Sequence, residues 1–234
     1  MGSAVPDIRG IIFDFDHTLY KHGDRRFELY ALATAQAALN LGLRKTFADA
    51  TAIAVESNAL TRSEFTHFVR QYGLPERQLL HEYDKIAAKI FPDYVKAIEG
   101  LTDKFNRLAP ARQRAVLTHS SIDWLRPMIE HIGLAAAFRT EMVFTQDHPD
   151  IQYRKKSESR EVFELVAREM GLRPENIAVV DDCEKNLVIP AALGMYTVLV
   201  TWGERQDRDL PHVREQVDSV DDFLRPGLFP ELGP

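Results

Sequence analysis

Cysteine is almost missing from the sequence. Cys183 is the only one in 234 residues, so no internal disulfide can form and no thiolate zinc cluster can assemble. The eight histidines contain no H-x-x-x-H pair. No apolar run approaches membrane-spanning length, and the N-terminal "MGSAVPDIRG" lacks an apolar core of signal-peptide size. The expectation is a soluble, cytoplasmic protein without a membrane partner. A basic excess is absent too: 29 Lys and Arg against 35 Asp and Glu give a net charge of −6. That balance argues against a surface built for a nucleic-acid polymer or anionic lipid, although a locally positive pocket for a small anion remains compatible with it. Internal repeats and low-complexity segments are also lacking. With 45% hydrophobic and 27% charged residues the composition is that of an ordinary globular protein, long enough for one large domain or two modest ones.

What is present is a set of short, unbroken apolar runs. "IIFD" (11–14), "AVLT" (115–118), "IAVVD" (177–181) and "YTVLV" (196–200) read as strands buried on both faces, with "EMVFT" (141–145) a weaker fifth. Helical patterns at about 121–133, 158–171 and 185–194 separate the last four, two of them ending at Gly171 and Gly194. This βαβ alternation predicts an α/β fold with a doubly wound, mostly parallel sheet. Between Asp14 and Thr118 no strand-like run is visible. The patterns there predict helices at roughly 25–42, 46–60, 62–72, 76–91 and 93–108. The fourth carries Leu79, Leu80, Tyr83, Ile86, Ala87 and Ile90 at three- and four-residue steps. The expected organisation is an α/β core of residues 1–20 and 109–234 with an inserted helical cap of residues 21–108.

Ligands of open parallel sheets bind beyond the carboxyl ends of the strands. There the sequence places Asp14 and Asp16, then Thr118 and His119, then Asp181 and Asp182, with Arg154, Lys155 and Lys156 ahead of the helix at 158–171. Taken singly, D-x-D reads as well as a turn, Lys156 as a solvated charge and Asp181–Asp182 as a helix cap. Converging on one rim, the carboxylates repel one another unless a cation sits among them. An all-oxygen donor set suits a hard ion such as Mg²⁺, with a lysine and a hydroxyl left to face phosphate oxygens.

"IIFDFDHTL", "AVLTHS", "KKSESREVFELVAREMGL" and "IAVVDDCEKNLVIPAALGMYTVLV" resemble, in order, the four motifs of the haloacid dehalogenase-like (HAD) hydrolase superfamily. The helical insert is similar to the family's C1-type cap. "DHTLY" and "VDDCEKN" look most like the pyrimidine 5′-nucleotidase branch. The resemblance implies a Mg²⁺-dependent phosphatase acting on a small phosphorylated metabolite, with nucleoside 5′-monophosphates as candidates. It casts Asp14 as nucleophile, forming an aspartyl-phosphate, and Asp16 as the acid and base. Mg²⁺ would be held by the Asp14 carboxylate, the Asp16 main-chain carbonyl and Asp182. Thr118 and Lys156 would stabilise the transferring phosphoryl group, and Thr18 would support the first motif.

The sequence departs from the pattern in places. His119 stands where the second motif usually has Asn, and reads either as a substrate contact or as a cap on the next helix. Ser157 replaces the proline of the third motif, and Phe163 lies one residue further from Lys156 than usual, so Lys155 remains an alternative lysine. Pro190, which lacks an N–H, implies that the last helix begins only near Asn186 or Leu187. A dehalogenase would not need the acid Asp16. A phosphomutase would use both aspartates. A phospho-acceptor or binding protein would not be expected to combine this insert with all the acids. Nothing in the sequence identifies an oligomeric interface.

Overall fold

Gly10–Phe13 is completely buried and forms strand β1. In the computed structural model, which describes residues 7–23, 26–61 and 63–232, β1 lies between two parallel partners, β4 (Gln113–Leu117) and β6 (Ile177–Asp181). The N-terminal residues before Asp7, read above for a leader, lie outside the described residues. β7 (Tyr196–Val200) follows β6, and the short strands β5 (Val143–Phe144) and β8 (Glu215–Val217) form the edges. The order is β5-β4-β1-β6-β7-β8, with every recorded pairing parallel. Parallel ladders buried on both faces explain why these strands read as unbroken apolar runs. The register puts Phe13 opposite both Val116 and Val180. The three central strands therefore end together, and Asp14, Thr118 and Asp182 follow on a single rim.

Helix α7 (Arg160–Met170) turns Val162, Phe163 and Val166 into the core shared with Ile12, Leu117, Phe144 and Val179. It stops at Gly171, whose φ of 66° is the left-handed conformation that closes a helix, and whose N–H returns to the Ala167 and Arg168 carbonyls. Beyond β6 the chain makes a 3₁₀ turn over Glu184–Leu187 and enters α8 (Val188–Ala192), which carries Pro190 in its first turn. A proline is tolerated there because the N–H it lacks has no partner within the helix.

The described residues divide into two compact units. The first comprises the chain up to Lys21, Ala97–Ile122 and the residues from Ile132 on; the second comprises His22–Lys96 and Asp123–His131. These boundaries differ from the expected ones in two places. The pattern at 93–108 is not one helix. It is a short strand, β3 (Val95–Ala97), and a separate helix, α5 (Leu101–Arg107), that starts after Gly100 at φ 74°. α5 belongs to the sheet unit, where Phe105 meets Phe13 at 5.2 Å and Phe138 at 5.4 Å between ring centroids. Conversely, most of α6 (Ile122–His131) groups with the helical unit, with Trp124 edge-on to Phe91 at 5.3 Å. β2 (Tyr20–His22) pairs with β3, so the insert does contain strands, each too short to show an alternation.

The second unit is built on α1 (Arg26–Asn40), α2 (Phe47–Thr61), α3 (Thr66–Tyr72) and α4 (Glu76–Ile90). Its core is rich in alanine: Ala31, Ala35, Ala38, Ala50 and Ala54 pack with Phe68 and Leu79. Thr46 starts α2, its hydroxyl accepting from the Asp49 N–H and donating to the Asp49 carboxylate. Tyr30 stacks on Phe91 and its hydroxyl meets His22 Nε2 at 2.9 Å.

Candidate active site

The polypeptide changes character at Asp14. Its N–H still bonds to the Val180 carbonyl at 2.8 Å, continuing the β1 ladder, but its side chain leaves the apolar core for the rim. Phe15 is fully buried, against Tyr20, so the carboxylates on either side of it reach the same region. His17 follows in the left-handed region at φ 59°, and the turn closes with Thr18 and Leu19 N–H groups on the Phe15 carbonyl.

Lys156 is the hub. The residue is 2% exposed, and its ammonium lies 2.5 Å from Asp14 Oδ1 and 2.8 Å from Asp181 Oδ2, with the Leu117 carbonyl at 3.3 Å. Lys155, the alternative, is exposed and pairs with Glu158. Asp181 is held from behind: Oδ1 accepts from the Cys183 N–H at 2.8 Å, and both oxygens meet the Asn186 amide at 3.0 and 3.1 Å. The other oxygen of Asp14 accepts from the Thr18 hydroxyl at 2.9 Å, and the same hydroxyl accepts from the Asp182 N–H at 3.1 Å. Thr18 thus ties the turn after β1 to the turn after β6.

Asp16 has a different environment. Its Oδ2 accepts from Ser120 at 2.6 Å and Thr118 at 3.1 Å, and its Oδ1 from the Tyr20 hydroxyl at 2.6 Å. Thr118 is buried and its hydroxyl also receives the Ser120 N–H. His119 does not cap α6; the Ile122 N–H is met instead by Asp147. His119 Nε2 accepts from the Lys156 main-chain N–H at 2.9 Å. The residue as a whole is exposed, with Nε2 engaged in that bond. Burial of the nitrogen and the nearby Lys156 charge hold the imidazole below its ordinary pKa.

Three of the carboxylates form a group that could hold a cation. Asp14, Asp181 and Asp182 each offer an oxygen within 4.8 Å of the others. Burial pushes the Asp14 carboxyl up to about 7, with Asp181 and Asp16 adding to the rise and Lys156 opposing it. Asp182 is raised well above the usual range by burial and by Asp14 and Asp181. For Lys156, burial alone would lower the pKa, but the two carboxylates outweigh it and the ammonium is held charged. Raised carboxyls beside a single ammonium are a donor set that one more cation would relieve. Asp181 is the most heavily engaged of the three, its two oxygens receiving Lys156, the Cys183 N–H and the Asn186 amide, while each Asp14 oxygen receives a single donor.

Next to Asp182 opens a cavity of about 140 Å³, bordered by His17, Thr201, Trp202, Glu204 and Gln206. Trp202, at φ 53°, donates its indole N–H to the His17 carbonyl at 2.6 Å. The sequence-derived set Asp14, Asp16, Thr118, His119, Lys156 and Asp182 is therefore brought together. Sequence reasoning missed Tyr20, Ser120 and Trp202, and did not give Asn186 a role. Tyr20, Ser120 and Asn186 sit within a few positions of the motif residues they contact. Trp202 has no local signal, because its partner lies at the other end of the chain.

Comparison with known proteins agrees with this fold. Solved structures with the same fold include the CbbY protein of Rhodobacter sphaeroides in complex with phosphate (17% identity, TM-score 0.67, covering 97% of this chain and 100% of that one). A HAD phosphatase from Thermococcus onnurineus matches at 17% identity and TM-score 0.62 over 92% and 96% of the two chains. A dehalogenase with an intermediate complex matches at 15% and 0.58 over 94% and 96%. At these identities the likeness is one of fold. No curated protein sequence matches. The sequence model of haloacid dehalogenase-like hydrolases matches residues 8–194, a span that contains every residue of the carboxylate–lysine cluster. The chain belongs to the haloacid dehalogenase-like hydrolase family.

Proposed function

We propose that the protein is a Mg²⁺-dependent phosphatase that hydrolyses a small phosphorylated metabolite through a phosphorylated Asp14. The observation that carries this is the pairing of two different carboxylates: Asp14, clamped by Lys156 and Thr18, and Asp16, held apart from it by three hydroxyls. A clamped carboxylate with one oriented oxygen suits attack on phosphorus. A second carboxyl with its own donors suits proton transfer.

In the first step an Asp14 oxygen bonds to phosphorus and the ester P–O bond breaks. Asp16, carrying a proton, gives it to the departing alcohol oxygen. In the second, water attacks phosphorus, Asp16 takes the water's proton, and the bond to Asp14 breaks to release phosphate. Lys156 and Thr118 neutralise and position the phosphoryl oxygens, the main requirement of this chemistry. Asp14, Asp182 and the Asp16 main-chain carbonyl would hold Mg²⁺, which supplies positive charge to the phosphoryl group. A halide leaves without a proton, so a dehalogenase has no use for Asp16.

Phosphate release from an aryl phosphate in Mg²⁺, by the wild type and by Asp14→Asn, tests the proposal. The variant should retain less than about 1% of activity; a wild type no faster than the variant overturns it. Pyrimidine 5′-monophosphates are the first physiological substrates to try, given the resemblance of "DHTLY" and "VDDCEKN". Equal rates on purine and pyrimidine nucleotides would remove the branch assignment and leave the phosphatase proposal standing. The partner of the site is a small phosphorylated molecule, and a bisphosphate requirement would mark a phosphomutase instead.

A further inference from the structure

Lys156 must place one nitrogen between Asp14 and Asp181 at the end of a long, rotatable side chain, and its backbone has little regular structure to hold it. The preceding strand, β5, ends at Phe144, and α7 does not begin until Arg160. Between them the chain runs through Gln152 and Tyr153, consecutive residues in the left-handed region at φ 51° and 62°. The loop is pinned by Gln146 to Tyr153 and by turns onto His148, Ile151 and Lys155. None of those main-chain bonds uses the Lys156 N–H. That donor is taken by a side chain from the far end of β4, His119, at 2.9 Å.

We infer that His119 is a positioning residue, which sets the place of the Lys156 ammonium by accepting the Lys156 main-chain N–H through Nε2. This rests on the proposed phosphatase reading and deepens it. Two sequence departures then have one cause. The lysine enters one residue further from Phe163 than usual, and the residue after Thr118 is a long acceptor in place of a short one. From the backbone at 119, an asparagine would present its oxygen at the depth of Nδ1, short of the Lys156 N–H. A glutamine would present one near the depth of Nε2. The rest of the residue has no part in the inference.

His119→Ala, His119→Asn and His119→Gln test it, with two readouts. The first is steady-state hydrolysis of an aryl phosphate in saturating Mg²⁺. Misplacement of a catalytic group by about 1 Å costs on the order of 10²-fold. Ala and Asn should therefore lose kcat by on the order of 10- to 10²-fold with little change in KM, and Gln should recover most of it. Because glutamine does not titrate, its recovery also separates positioning from proton transfer by the imidazole.

The second readout needs no activity. Amide hydrogen exchange of the peptide around Lys156 should speed up in Ala and Asn and stay at the wild-type rate in Gln. If His119→Gln is as impaired as His119→Ala, or if His119→Ala leaves both kcat and exchange unchanged, the inference is overturned. If the wild type shows no phosphatase activity while exchange follows the expected order, the phosphatase proposal falls and the positioning role of His119 stands.

Discussion

Lys156 is surrounded at short range by Asp14 and Asp181, and all three are almost completely buried. Removing one member of a buried ion pair costs about 3–5 kcal/mol, because the remaining charge is left without a partner. Here the loss would leave two carboxylates facing each other. Lys156→Met keeps the length of the side chain and removes the charge. It is expected to abolish hydrolysis and to destabilise the fold by about 3 kcal/mol in urea denaturation at about pH 8 without divalent ions. Protonation of Asp14 should recover part of that loss at about pH 5; equal losses at the two pH values would show that the ammonium does not balance it. Asn186 sits one shell further out, with its amide on Asp181. Its presence shows what sequence motifs capture and what they pass over. The acids and the lysine were legible because each ends a recognisable strand or precedes a recognisable helix. Tyr20, Ser120 and Trp202 escaped notice because tyrosine, serine and tryptophan have many structural uses. Only three-dimensional contact shows which one applies.

Helix α5 argues the same point for whole elements. Leu101 and Phe105, with Leu108 just past its end, form an apolar stripe, but the stripe does not say what it packs against. Sequence order suggested the neighbouring helices. The structure instead places Phe105 against Phe13 of β1 and against Phe138. Truncating a buried phenylalanine costs about 3–5 kcal/mol. Phe105→Ala should therefore destabilise the sheet unit by that amount and lower the activity with it, since Phe13 immediately precedes Asp14. If urea unfolding followed separately in the two units shows the helical unit alone affected, α5 has been assigned to the wrong partner. Long buried strands and long helices were visible from periodicity, because many residues report on one environment. β2, β3 and β8 have three residues each, too few for alternation to appear. Their formation depends on pairing with partners distant in sequence.

At the scale of the whole molecule, the carboxylate cluster couples stability to pH and, with the proposed ion bound, would couple it to divalent ions as well. Asp14 has a folded-state pKa of about 7 against an ordinary 3.8, and Asp182 is displaced in the same direction. Between those values the native state holds protons that the unfolded chain has released. Asp14 therefore contributes stability that is complete below about pH 4, declines as pH rises through about 7 and is absent above it, and Asp182 acts in the same direction. Lys156, raised above 10.5, stays charged throughout that window and adds no slope of its own. A divalent ion held by the proposed ligands would compete with these protons, because it requires the ionised carboxylates. Its stabilising effect should grow as the protons leave. The measurement is the shift in Tm on adding saturating Mg²⁺, taken at about pH 5 and about pH 8. The shift at the higher pH should be the larger, by several degrees, which corresponds to roughly 1 kcal/mol for a chain of this size. Asp182→Asn should remove most of the difference, because it takes away a carboxylate that both the proton and the ion require. Using the change on ion addition at each pH cancels the titration of surface groups that the ion does not touch. A Mg²⁺ shift equal at both pH values would mean that the ion binds without displacing protons. Asp14 and Asp182 would then not be its ligands.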